Sequence, residues 1–172
     1  MTVAAARPPS ARTARIAGPA APAAKPGRLD DSGLHPLVGY AASRAALELR
    51  KVFAAHMEPF GLTTQQFSIL MLVADNGDVN QRQLGQALDI SPPNMAVTLD
   101  RMAERGWIER VRSTRDRRAQ QIHLTPSGRE LAARTREIAA TMEEPALEAL
   151  SRAERALLIE LLRKIVPSAA PR

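Results

Sequence analysis

Arg110-Val111-Arg112-Ser113-Thr114-Arg115-Asp116-Arg117-Arg118 places five arginines within nine residues, between two short runs that read as β-strands. Trp107 to Arg112 bring the chain out and Ala119 to Thr125 take it back. A tight turn this basic repels itself, and a polyanion relieves that repulsion. Directly upstream, Asn80 to Arg105 reads as two short helices joined at Asp89-Ile90. Asn80 is placed to cap Gln81 to Leu88, with Leu84, Ala87 and Leu88 inward. Ser91-Pro92 opens the second helix as N-cap and first helical residue, where the missing proline N–H costs nothing. Met95, Leu99 and Met102 make its buried stripe, with Thr98 beside them, and Gly106 ends it.

That order of elements is a helix-turn-helix followed by a basic hairpin, and it points to duplex DNA. With the stripe buried, Pro93, Asn94, Val97 and Arg101 face outward. Asn94 can pair bidentately with adenine, Val97 can touch a thymine methyl, and Arg101 can reach guanine or phosphate. Ser91 lies at the helix N-terminus, which favours phosphate. Arg115, Arg117 and Arg118 suit the minor groove, whose negative potential attracts arginine. Asp116 is expected to fix the shape of the tip.

Working outward, Thr63 or Thr64 caps a helix that carries Phe67, Leu70, Met71 and Ala74 inward. Asp75-Asn76-Gly77-Asp78 ends it as a turn. Before it, Leu37, Tyr40, Ala41, Arg44, Leu47 and Val52 recur at helical spacing until Pro59 and Gly61 intervene. After the hairpin, Thr125-Pro126 launches a helix through Leu131 and Ile138, broken at Glu143-Glu144-Pro145. Ser151-Arg152-Ala153-Glu154 fits a capping box. Leu157, Leu158, Leu161, Leu162 and Ile165 then span too wide an arc for a surface helix with one buried stripe, which calls for a second subunit.

Composition agrees. The chain has 172 residues, 45% hydrophobic with few aromatics, so Ala and Leu dominate and a mainly α fold with a small β-hairpin wing (α+β) is expected. Its net charge is +6, carried by arginine far more than lysine. There is no Cys, which excludes disulfides, thiolate zinc sites and thiol redox sensing. His35, His56 and His123 are scattered, so no metal site is expected, and no cofactor. No phosphate loop, nucleophile elbow or zinc-protease motif suggests an enzyme. No apolar run is long enough to span a membrane, and a cytoplasmic protein is expected. Residues 1–33, rich in Ala, Pro and Arg, read as a disordered tail preceding a 34–167 domain.

Gln83-Leu84-Gly85-Gln86-Ala87-Leu88, Leu99-Asp100-Arg101-Met102-Ala103-Glu104-Arg105-Gly106-Trp107-Ile108, and above all Asp116-Arg117-Arg118-Ala119 with Leu124-Thr125-Pro126-Ser127-Gly128 resemble the MarR family of winged helix-turn-helix regulators. The resemblance covers about residues 36 to 166. It implies a 63–125 DNA-binding lobe and flanking dimerisation helices at 36–58 and 126–166, intertwined in a homodimer on a palindromic operator. It also implies repression relieved by a small, aromatic and anionic effector held between the dimer helices and the lobe. At that place polarity selects Tyr40, Arg44 and His56, with Phe67 as apolar wall. The competing readings are a non-specific architectural DNA-binding protein and a helical-dimer protein-interaction module.

Overall fold

The computed structural model describes residues 29–112 and 120–166. Six helices carry the chain: α1 (Val38–Met57), α2 (Thr64–Asp75), α3 (Gln81–Leu88), α4 (Pro92–Glu104), α5 (Pro126–Ala139) and α6 (Arg152–Ile165). Three short strands join them: β1 (Val79–Asn80), β2 (Ile108–Arg112) and β3 (Gln120–Leu124). The fold is a mainly helical winged helix.

Local chemistry starts most of these helices. Thr63, Asn80 and Ser151 each accept the N–H three residues on, while Gln66, Gln83 and Glu154 reach back to the cap N–H. Each reciprocal pair satisfies two backbone donors that the helix leaves open. Thr125 caps α5 by accepting from the Gly128 N–H. Ser91 stands at the cap of α4, but its side chain makes no capping bond there.

The sheet order is β1-β3-β2, antiparallel throughout, so β3 is the central strand. Ile108 pairs with Leu124 and Arg110 with Ile122, while Val79 meets Ile122 from the other side. The Asp75 to Asp78 turn runs directly into β1, a strand that no sequence pattern announces. Two residues carry no alternation to read, and β1 exists only because the edge of β3 is there to pair with it.

Ile69, Leu70, Leu84, Met95, Leu99, Met102, Ile108 and Ile122 form the centre of the core under this sheet. Phe53 and Met57 attach the end of α1 to it, and Phe53 meets Phe67 edge-on with centroids 5.5 Å apart. Two inward expectations move: Ala74 and Ala87 are exposed. On α2 the face turns to Gln66, Ile69 and Val73 beside Leu70. α5 stops at Ala139, before the expected break at Glu143-Glu144-Pro145, and a 3₁₀ turn at Pro145–Leu147 leads into α6.

The motif Thr125-Pro126-Ser127-Gly128 docks α5 on the end of α4. Thr125 and Ser127 both donate to the Gly106 carbonyl, at 2.5 and 2.8 Å, and the Thr125 N–H donates to the Trp107 carbonyl at 3.1 Å. A Cβ on Gly128 would lie 1.9 Å from that carbonyl oxygen, so only glycine fits. Gly106 itself turns the chain out of α4 with φ of 69°, a left-handed conformation that side chains resist.

Candidate nucleic-acid interface

α3 and α4 form the helix-turn-helix. Asp89 takes the left-handed conformation at φ 51°, its N–H bonding the Gly85 carbonyl, and the Ile90 N–H donates to the same oxygen at 2.9 Å. Two bonds on one carbonyl make the turn tight and fix where α4 begins. Gln81 Nε2 adds a 3.4 Å contact to the Pro92 carbonyl.

α4 then divides cleanly. Met95, Leu99 and Met102 are fully buried, which anchors the helix on the core. Pro93, Asn94, Val97 and Arg101 are exposed on the opposite side, with Ser91 at the same end. Val97 is 50% exposed. The five sequence candidates on this helix are therefore brought together on one outer face. Arg101 and Thr98 also line a shallow polar pocket against Thr63, Thr64, Gln65 and Gln66 at the start of α2.

The wing is held to this helix by a contact that no sequence motif announced. Arg110 Nη1 lies 2.6 Å from Asp100 Oδ1. Strand parity explains it: Arg110 is two residues from buried Ile108 and opposite buried Ile122, so it shares their face toward α4. Arg105 braces the other end of α4, donating to the Gly61 carbonyl at 2.8 Å and lying over the Trp107 ring at 4.7 Å. Arg115, Arg117 and Arg118 lie outside the described residues.

The ligand candidates do not converge within one chain. Tyr40 and Arg44 are one turn apart near the start of α1, whereas His56 is near its end, about 24 Å from Tyr40 at 1.5 Å per residue. The Tyr40 hydroxyl donates to Asp31 Oδ2 at 2.9 Å and holds that carboxyl below its ordinary range. Arg44 is exposed, and so is His56, whose Nδ1 contacts the Val52 carbonyl of its own helix. Phe67 is part of the α1–α2 contact. Among the described residues, no group of three metal-ligating side chains converges, and no helix is long and apolar enough to cross a membrane.

Comparison with known proteins bears on the same arrangement. The sequence profile of the MarR family matches residues 60–119. The transcriptional repressor CouR, solved on a 23-mer DNA duplex, superimposes with a TM-score of 0.75 and 36% identity. That alignment covers 80% of this chain and 98% of CouR.

The chain belongs to the MarR family.

CouR bound to p-coumaroyl-CoA matches at 33% identity and a TM-score of 0.73, over 82% of this chain and 99% of that one. A putative transcriptional regulatory protein for the hcr operon of Thauera aromatica is 30% identical over 105 residues. That match takes in 61% of this chain and 63% of the Thauera protein. MarR proteins are transcriptional regulators and not enzymes, and this chain is one of them. Within the MarR frame, the Leu124 to Gly128 motif is structural: it seats α5 on the lobe and leaves the exposed face of α4 free.

Proposed function

We propose that this MarR protein is a dimeric, sequence-specific repressor that binds a palindromic operator and leaves it when a small aromatic acid binds. The observation that carries this is the outer face of α4: Asn94, Val97 and Arg101 stand exposed on a helix whose other side is locked into the core. A protein that only neutralised phosphates would need no such set of base-reading side chains. In this reading Asn94 and Val97 read base edges in the major groove and Arg101 reads guanine or a phosphate. Ser91 and Pro93 approach the backbone, and Arg115, Arg117 and Arg118 enter the minor groove.

Dimerisation is supported by α6. It has no buried residue, yet Leu157, Leu158, Leu161, Leu162 and Ile165 are each at least 39% exposed. Leu37 and Val38 are exposed at the start of α1 as well. So much uncovered apolar surface on two flanking helices is what a second copy would bury. Two-fold symmetry would set the recognition helices about 34–36 Å apart, one turn of duplex. The repressor and effector parts lean on CouR, described as a repressor and solved with both DNA and p-coumaroyl-CoA.

The test is fluorescence anisotropy with a duplex from the intergenic region beside the gene, against random duplex, across a salt series. The expected result is a preference of about 10³ or more for the specific duplex at physiological salt. Equal affinity for both would leave the architectural reading standing. Indifference to DNA even at low salt would end both DNA readings.

A further inference from the structure

α1 joins the lobe by its last turns: Phe53 and Met57 are buried, while none of the residues from Val38 to Val52 is. How the lobe sits on α1 is therefore decided between Met57 and Leu62. There the chain makes a 3₁₀ turn at Glu58–Phe60 and reverses at Gly61, with φ of 60°. The Gly61 N–H donates to the Glu58 carbonyl at 2.8 Å and the Leu62 N–H to the Met57 carbonyl at 3.3 Å. Leu62 is buried, which pins the exit of the turn.

Two arginines from elsewhere in the chain grip this turn. Arg105, at the C-terminal cap of α4, donates from Nη1 to the Gly61 carbonyl at 2.8 Å. Its guanidinium lies over the Trp107 ring at 4.7 Å, which orients the planar fork toward that carbonyl. Arg134 of α5 lies over the Phe60 ring at 5.0 Å. Among the described residues neither arginine makes an ion pair, so geometry and not charge pairing explains where they sit. α4 otherwise packs on α3 and β2, and α1 on α2 and α5. Arg105 thus ties the recognition helix to the root of α1 across 44 residues of sequence.

We propose that Arg105 is a positioning residue that fixes the distance between the two recognition helices of the dimer, and with it the half-site spacing the protein accepts. Asn94, at the reading end of α4, lies about 16 Å from Arg105 along the helix at 1.5 Å per residue. A tilt of about 10° over that arm moves Asn94 by about 3 Å, close to the ~3.4 Å rise of one base pair. Two-fold symmetry doubles the displacement, so loosening this bond shifts the spacing by about one to two base pairs. The proposal rests on the dimeric, operator-binding reading and names what sets its spacing.

The chain has no Cys, so Val97→Cys supplies one spin-label site per chain on the exposed face of α4. Pulsed dipolar spectroscopy on the full-length protein, without DNA, reads the distance between the two labels. The expected result is one narrow distribution, at least doubled in width by Arg105→Met, which keeps the stem over Trp107 and removes the donors. Arg105→Lys, with a donor and a cation for the ring, restores the narrow one. Arg105 is exposed, so both variants keep the parent's cooperative melt. Selection from a pool of random duplexes, with Val97 intact, then recovers the parent's half-site sequence from Arg105→Met over a spread of spacings wider by about one to two base pairs. Equal label widths in parent and Arg105→Met, an unchanged spread of spacings, or an altered half-site at the parent's spacing would each overturn the assignment. Absence of a dipolar signal in the parent would end the dimer reading and the assignment with it. A broadened distance in Arg105→Met with no sequence enriched by the parent would count against the repressor reading alone.

Discussion

α4 and α6 are helices of nearly equal length, 13 and 14 residues, each with a strong apolar stripe and a good start signal, and they end in opposite conditions. On α4 the stripe is fully used: Met95, Leu99 and Met102 are at 0% exposure. On α6 nothing is buried, and the ten residues from Leu157 to Val166 include seven large apolar side chains left open. For α4 the polar face is therefore the working surface. For α6 the apolar face is. An amphipathic pattern specifies that a stripe will be covered, while whether the cover comes from the same chain is decided by what the fold places opposite it.

The largest expected effect breaks the contrast from the α6 side. The double change Leu157→Glu/Leu161→Glu should give a folded monomer by sedimentation, since neither residue is buried in the single chain, and lower operator affinity by about 10² or more through loss of bivalent attachment. A variant that remains dimeric would remove α6 from the interface. On the α4 side the same kind of residue should act through stability. Leu99→Ala is expected to cost about 2–5 kcal/mol in denaturant unfolding, because it leaves a cavity at a fully buried site. A loss below about 1 kcal/mol would mean that the stripe is less tightly packed than its burial indicates.

Changes to the outer face of α4 should leave stability alone. Asn94→Ala is expected to cost about 1–3 kcal/mol of discrimination at one base pair, read by affinities for single-substituted operators, with an unchanged melting temperature. Uniform weakening on all sequences would move Asn94 from base reading to backbone contact. The smallest effect is the most diagnostic in sign. Asp100→Asn removes a negative charge from the recognition helix, and charge alone would raise DNA affinity. If the Asp100–Arg110 pair sets the wing angle, affinity instead falls by up to about fivefold, the scale of an exposed ion pair. A rise would reduce the pair to a surface contact.

Much of this fold was legible because its punctuation is local. Thr63, Asn80, Thr125 and Ser151 announce helix starts by hydrogen bonds that span only three residues. The buried stripe of α4 follows from helical geometry once its start is known, and so does the exposed set Asn94, Val97 and Arg101. In sequence Arg110 is only a strand residue beside the basic tip, and nothing local marks Asp100 as its partner. The pair forms because strand parity turns Arg110 toward α4, a register that β3 imposes. The polarity-based ligand set is different: Tyr40, Arg44 and His56 are compatible in chemistry, and their axial spread along α1 is already contained in their spacing.

Side-chain spacing and capping chemistry, both short-range, thus determined by sequence alone that this chain would form a helix-turn-helix with a basic hairpin behind it. Only tertiary structure decided that Gly128 must abut the Trp107 carbonyl, that β1 completes the sheet, and that Arg105 reaches the Gly61 carbonyl. Those contacts join residues up to 44 positions apart, and their geometry is set by how helices and sheet pack. No local periodicity carries that information, since burial and long-range pairing belong to the assembled core and not to any one segment.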